Sequence, residues 1–178
     1  MKEALKEVFS TMKRDDITVI AKTDPLIQEL GKEWLLLSVN MRPNRRSNYV
    51  SNKMREVVAK VLKPLRAKNG SVVSVDDIIN PVKFDDVVTA ALETDGWSGD
   101  SFHAPSTAIK LSYSLKRLAS IKKGQAVRTG DQIAQDHAFE FFELVDRERS
   151  LQLTKVARFN IRQRKFNKVI RLCPSQWM

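Results

Sequence analysis

The feature that most restricts the fold is a long apolar stripe in the first half of the chain. Its side chains recur at i, i+4, i+7, i+8, i+11, i+12 and i+15, and they are Val50, Met54, Val57, Val58, Val61, Leu62 and Leu65. This spacing is typical of a helix with one continuous apolar face. The sequence therefore predicts a long helix with one side for a core, and Pro64 is expected to kink or close its last turn.

Short signals predict where the other helices begin. Asp24-Pro25 and Asn80-Pro81 each pair an N-cap residue with a proline at the first helical position, and Asp15 or Asp16 can cap another turn. Apolar residues recur at helical spacing in five further segments, which are Leu5 to Met12, Ile27 to Leu37, Phe84 to Leu92, Ala108 to Leu118 and Ala134 to Val145. We expect the last of these helices to reach roughly Asn160.

Little in the sequence favours strands. The polar segment Met41 to Asn48 and the segment Ala67 to Ser74 are predicted to be loops, and a turn at Thr129 to Asp131 bounds a further helix. The weak strand candidates are the pairs Val72-Val73 and Val169-Ile170. The predicted fold class is therefore all-α, a compact bundle of about six or seven helices.

The composition limits the domain count and the compartment. A chain of 178 residues that is 42% hydrophobic can bury a core. We expect a single helical domain over 1–178, with two subdomains, 1–68 and 76–178, as the alternative. The single Cys173 excludes an internal disulfide framework and a four-Cys zinc site. Because no apolar run resembles a signal peptide or approaches the roughly 20 residues of a membrane span, we expect an intracellular protein with no membrane partner.

Charge is sorted into blocks along the chain, which has a formal net charge of +10. Arg42 to Lys68 holds nine basic residues and one acid, Ser101 to Gly130 six and none, and Arg149 to Met178 eight and none. The acids gather between these basic blocks, seven in Asn69 to Asp100 and six in Asp131 to Glu148. A patterned field of this kind indicates a polyanionic partner.

Residue patterns that would support catalysis are scarce. The glycines within Asp95 to Asp100 lack the lysine and the preceding strand of a phosphate-binding loop. His103 and His137 lie far apart in the chain, with no acid or cysteine spaced for a zinc site. The pairs Asp76-Asp77 and Asp85-Asp86 are interpreted as stabilising helix N-termini. We therefore expect neither an enzyme nor a metal or cofactor site.

The basic residues favour nucleic acid as the polyanion. On the central helix, the lysines line a face that is distinct from the apolar stripe, and near the C-terminus the cations form a ridge that could track a phosphate backbone. A solvated helix face usually mixes charges, whereas the last block contains no acid. The expected phosphate contacts are Lys53, Arg55, Lys60, Lys63 and Arg66, and Lys155, Arg158, Arg162, Arg164, Lys165 and Lys168. Phe159, Phe166, Tyr49 and Tyr113 are the candidates for stacking on bases.

A series of short runs supports a family resemblance. They occur in the order Met12 to Asp16, Lys22 to Leu26, Ser51 to Glu56, Pro105 to Leu111 with Ser114 to Lys116, and Arg164 to Lys168. Their order and spacing resemble a group of animal proteins that are similar to products of Crypton-type mobile elements. In that family this helical region often precedes a segment similar to a tyrosine recombinase. The resemblance implies an accessory helical domain that clamps DNA opposite a catalytic domain.

The chain also departs from that family. In that family Cys/His finger-like sequence often precedes the helical region, but nothing before Met12 in this chain has metal-ligand spacing. In addition, neither His103 nor His137 begins the His-x-x-Arg pattern of a tyrosine recombinase. We therefore expect a non-enzymatic, intracellular or nuclear module that binds nucleic acid, most simply DNA, through phosphate contacts. The alternatives are a protein-interaction scaffold for an acidic partner and a remnant recombinase, for which DNA nicking would depend on Tyr49 or Tyr113.

Changing three of the C-terminal basic candidates to alanine is expected to flatten the salt dependence of DNA binding by roughly 0.9 log unit of slope per lost phosphate contact. Fluorescence-polarisation titrations at several salt concentrations measure this slope. An unchanged slope would remove the C-terminal segment from the binding site.

Overall fold

The computed structural model describes residues 2–68, 70, 74–94, 105–148 and 159–163, and these residues are almost entirely helical. The α-helices are α1 (Lys2–Thr11), α2 (Asp16–Thr23), α3 (Pro25–Leu37), α4 (Pro43–Val57), α5 (Lys63–Lys68), α6 (Val75–Ile78), α7 (Phe84–Thr94), α8 (Pro105–Thr129) and α9 (Gln132–Glu148). A π-helical turn, Val58–Leu62, joins α4 to α5, and a 3-10 turn, Pro81–Lys83, precedes α7. Residues 159–163 form one further helical turn.

The all-α fold class is confirmed, and the described ranges contain no strand. They hold more helices than the six or seven expected, because the four-residue α6 is separate and the π-helical turn divides the central helix. The two weak strand candidates, Val72-Val73 and Val169-Ile170, lie outside the described residues. Within the described ranges, no helix combines the length and the apolar character that a bilayer crossing requires.

The predicted helix starts are confirmed by their hydrogen bonds. Asp15 Oδ1 accepts from the Thr18 N–H at 2.8 Å, and Asn80 Oδ1 accepts from the Val82 N–H at 3.0 Å. The loop expected over Met41 to Asn48 is wrong, because α4 begins at Pro43. Proline suits the first helical position, where its missing N–H costs nothing and its fixed φ is already helical. The residues after Pro43 are polar, so they carry no apolar periodicity that would indicate a helix.

One carboxylate caps two helices. The side chain of Asp24 is buried, and its Oδ1 accepts from the Ile27 N–H at 3.1 Å in the first turn of α3. Its Oδ2 accepts from the Val75 N–H at 2.8 Å, at the start of α6. A buried carboxylate whose two oxygens each accept a backbone N–H satisfies donors that neither helix could satisfy internally. Asp24 thereby fixes the start of α3 against a segment that lies 51 residues later in the chain.

The core forms around the apolar stripe of the central helix. Every stripe residue from Val50 to Leu65 is buried, as predicted, and the stripe packs against α1, α3, α7 and α8. The same hydrophobic cluster includes Leu118 of α8 and Phe141 of α9. Helices α8 and α9 fold back on each other through Gly130, whose φ of 73° lies in the left-handed region that glycine adopts without strain.

Pro64 shapes the central helix without ending it. Because Pro64 has no N–H, the Lys60 carbonyl loses its helical donor, and the Thr94 hydroxyl of α7 donates to that carbonyl instead, at 3.2 Å. The preceding Lys63 N–H bonds to the Val58 carbonyl, which is the wider spacing of a π-helical turn. The helical path therefore continues to Lys68, and α7 is tied to it at the bulge.

Replacing Asp24 should lower the free energy of unfolding mainly through the loss of its two helix caps. We expect Asp24→Ala to lower the free energy of unfolding by about 2 to 4 kcal/mol, because two buried N–H groups lose their acceptor. Asp24→Asn keeps one acceptor oxygen and should cost about half as much. Urea unfolding followed by circular dichroism measures both values.

Asp131→Ala is the matched control, since Asp131 is exposed and its side chain caps only α9, through the Ala134 N–H at 3.0 Å. Its expected cost is about 1 kcal/mol. Equal losses in Asp24→Ala and Asp131→Ala would contradict the double cap.

Candidate functional site

Two of the basic blocks meet at one groove, formed by α3, α4, α8 and α9, which we call the α4/α8 groove. It has a volume of about 450 Å³. Four cations and four aromatic residues line it, namely Lys53, Lys110, Lys116 and Arg117, and Trp34, Tyr49, Tyr113 and Phe142. A hollow of about 420 Å³ adjoins the groove, shares Tyr49, Lys53 and Lys110 with it, and adds Lys60. Folding therefore brings the first and second basic blocks onto one aromatic-lined surface.

Trp34 lies at the centre of the groove wall. Its ring packs edge-on against Tyr49, with ring centroids 5.7 Å apart and planes at 86°. The Lys53 Nζ lies 5.4 Å from the Trp34 ring centroid, and the Arg117 Cζ lies 5.6 Å from it. These distances are within the range of cation–π attraction. One indole from α3 thus holds a cation from α4 and another from α8.

Lys53 is a buried cation. The residue is 6% exposed, and its Nζ lies 3.6 Å from Glu56 Oε2. Burial lowers the pKa of Lys53 below its ordinary value; Glu56 opposes that shift and the positive charge of Lys110 adds to it. Lys53 and Lys110 line the same groove, so the two basic blocks lie close enough for their charges to repel each other. An anion between them would relieve this repulsion.

The other groove cations differ in how they are paired. Lys116 Nζ lies 2.6 Å from Asp146 and 4.6 Å from the Phe142 ring centroid, and an Arg117 guanidinium nitrogen lies 2.6 Å from Glu33. Lys110 is exposed, and no carboxylate among the described residues lies within ion-pair distance of its ammonium group. Lys110 is therefore the groove cation most available to an added anion.

The candidates predicted on the central helix separate in the structure. Lys53 and Lys60 line the groove and its hollow, whereas Lys63 is exposed and Arg66 is half-buried. Arg55 also borders the hollow, but its two terminal nitrogens bind the Asp15 carboxylate at 2.7 and 2.6 Å. Arg55 also donates to the Thr18 hydroxyl. Its guanidinium is thus engaged in joining α4 to the start of α2.

The C-terminal candidates fall mostly outside the described residues. These are Lys155, Arg158, Arg164, Lys165 and Lys168. Arg162 is described, and it is exposed on the helical turn at 159–163 beside the exposed Phe159. The structure therefore gives a position for Arg162, and the ridge of C-terminal cations stays a prediction from the sequence.

Several groove residues were missed from the sequence. Trp34 lies within the apolar helical periodicity of Ile27 to Leu37, and Lys110, Lys116 and Arg117 belong to the second basic block but are not among the predicted phosphate contacts. One signal was available, because Lys110, Tyr113 and Arg117 recur at i, i+3 and i+7, which places them on one face of α8. That pattern alternates cation, aromatic ring and cation.

The described part of the chain holds no metal-binding cluster, and the Tyr49 hydroxyl in the groove has a raised pKa. Among the described residues, no group of three or more His, Cys, Asp or Glu side chains could hold a metal ion. Burial raises the pKa of the Tyr49 hydroxyl, and the negative charge of Glu56 raises it further. A raised pKa disfavours the phenolate, so Tyr49 is a weak nucleophile.

No protein family, curated protein or solved structure matches this chain. The resemblance to proteins of Crypton-type mobile elements therefore stays a prediction based on the order of short runs.

The ion pair of Arg55 and Asp15 should give stability a specific pH dependence. Hydrogen bonding to Arg55 holds the pKa of Asp15 well below its ordinary value. A depressed carboxyl pKa contributes stability above the unfolded value, about 3.9, and this contribution is lost as the pH falls toward the folded value. Asp15→Asn keeps an acceptor for the Thr18 N–H but removes the charge.

We therefore expect the difference in urea midpoint between the native protein and Asp15→Asn to be constant above about pH 5 and to shrink below about pH 4. Circular dichroism at a series of pH values measures it. Arg55→Met removes the partner of Asp15. It should therefore also be less stable than the native protein above about pH 5, and this difference should also shrink below about pH 4. A difference that is equal at acid and neutral pH would show that the ion pair contributes nothing.

Proposed function

We propose that this chain is a non-enzymatic helical module that binds nucleic acid through phosphate contacts in the α4/α8 groove. The observation that carries the proposal is the convergence of Lys53 from the first basic block with Lys110, Lys116 and Arg117 from the second. Lysine and arginine neutralise phosphates with release of counterions, which supplies sequence-independent affinity. Aromatic side chains between the cations are typical of nucleic-acid surfaces and are not required by a simple inorganic anion.

The carboxylate of Asp146 does not prevent phosphate binding at Lys116. The Lys116–Asp146 pair is partly exposed, and exposed ion pairs contribute about 0 to 1 kcal/mol. A phosphate can therefore displace or share such a partner at small cost. Lys110 needs no displacement, and an incoming phosphate would also offset its repulsion with Lys53. These properties favour an anionic ligand that bridges α4 and α8.

The resemblance to Crypton-type proteins supports DNA as the nucleic acid and the nucleus as the place of action. In such proteins the helical region is expected to clamp DNA while another segment performs cleavage. The C-terminal basic segment, which includes Arg162, would extend the footprint beyond the groove.

A second candidate function is a protein-interaction scaffold. The exposed apolar side chains Leu36, Leu37, Val39 and Met41 lie close together in sequence at and just after the end of α3, and the exposed Arg42 and Arg45 come shortly after them. Contiguous exposed apolar side chains often mark protein contacts. Their position beside basic residues favours an acidic and apolar partner.

A double variant, Lys110→Ala with Lys116→Ala, tests the nucleic-acid proposal. We expect the slope of log affinity against log salt concentration to become shallower by roughly 0.9 per lost contact on duplex DNA and by roughly 0.7 on a single strand. Fluorescence polarisation with labelled duplex DNA, single-stranded DNA and RNA measures the slope.

The control is Lys13→Ala with Arg128→Ala, which removes the same charge from exposed positions that do not line the groove. This control should retain the native slope. Equal effects of the two double variants would reduce the binding to net charge and contradict the groove. Absence of binding to any nucleic acid at about 0.15 M salt, together with binding to a polyglutamate peptide, would favour the scaffold.

A further inference from the structure

One aromatic side chain is positioned differently from the others in the α4/α8 groove. Tyr113 is 45% exposed, whereas Trp34, Tyr49 and Phe142 are half-buried. On α8, Tyr113 follows Lys110 by three residues and precedes Lys116 by three, so the three side chains lie along one side of the helix. A ring is therefore presented to solvent between two cations, at the mouth of a concave site.

The remaining rings form the wall of the groove. Trp34 already has Lys53 and Arg117 within cation–π distance, and Phe142 has the Lys116 ammonium group at 4.6 Å. These rings are half-buried in the wall of the groove. Tyr113 is 45% exposed, so its ring offers more surface to an incoming planar group than the half-buried rings do.

The exposed ring of Tyr113 in the groove favours a single strand over a duplex. The groove volume of about 450 Å³ falls within the range of pockets that enclose drug-sized molecules, which is the scale of a nucleotide. In a duplex the bases are stacked inside the helix, so only phosphates could touch the groove rim. In a single strand the bases can turn outward and stack on aromatic side chains. An unpaired base of a single strand can stack on the exposed ring of Tyr113, whereas the paired bases of a duplex cannot reach it.

We propose that the α4/α8 groove takes a single strand of nucleic acid, with one base stacked on Tyr113 and the flanking phosphates at Lys110 and Lys116. This inference rests on the proposed function and names the form of nucleic acid that the site prefers. A base on Tyr113 and phosphates on both sides use the alternation of cation and ring along α8. The adjoining hollow, which contains Lys60, gives the strand a continuation past Lys53.

The stacking is tested by removing the Tyr113 ring from the protein and the bases from the oligonucleotide, first separately and then together. The probes are a labelled oligothymidine of about 12 nucleotides and an abasic strand of equal length, which has the same phosphates but no bases. We expect loss of the bases to weaken binding to the native protein by about 5- to 150-fold. Tyr113→Ala should bind both strands with similar, weak affinity, and Tyr113→Phe should retain the preference for oligothymidine.

Phe139→Ala is the matched control, because Phe139 is also 45% exposed and has the Lys123 ammonium group 4.3 Å from its ring centroid, but does not line the groove. It should behave as the native protein does. Equal binding of the two strands by the native protein would overturn the stacking, as would tighter binding to duplex DNA. If the native protein bound no nucleic acid at all, the proposed function itself would fail.

Discussion

The arrangement of this protein depends on the buried carboxylate of Asp24. Its two oxygens hold the first turns of α3 and α6, which are distant in sequence, and Pro25 completes the start of α3. Once that start is fixed, the 1.5 Å rise of a helix places Trp34 at a defined height, about 15 Å along the axis. Trp34 then packs against Tyr49 and between the cations of α4 and α8. A cap at one end of α3 thereby positions the groove near the other end.

The groove gathers like charges that would otherwise repel one another. Burying the Lys53 ammonium group costs solvation free energy, which Glu56 and the rings of Trp34 and Tyr49 offset in part. The lowered pKa of Lys53 is the signature of the remaining cost. A phosphate would add countercharge beside Lys110, the groove cation for which no described carboxylate lies within ion-pair distance. The physical case for nucleic acid is therefore local, and it does not depend on the net charge of the whole chain.

Features set by local rules could be predicted from the sequence. The apolar stripe from Val50 to Leu65 and the cap at Asp24 follow from helical periodicity and backbone donors, and both are present as expected. The groove could not be predicted, because it depends on which helices become neighbours. Lys53 looked solvent-facing by its spacing, yet α3 and α8 cover it. Arg55 looked equally available, but its partner Asp15 lies 40 residues earlier.

NMR titration of the ¹⁵N-labelled protein with oligothymidine can show whether nucleic acid binds in the α4/α8 groove. We expect the indole N–H signal of Trp34 and the backbone signals of Lys110 and Tyr113 to shift together and to saturate at one affinity. Tyr113→Ala should reduce the shifts throughout this set. Shifts that were confined to the exposed apolar segment from Leu36 to Met41, or spread without saturation over all basic surfaces, would show that the groove is not the binding site.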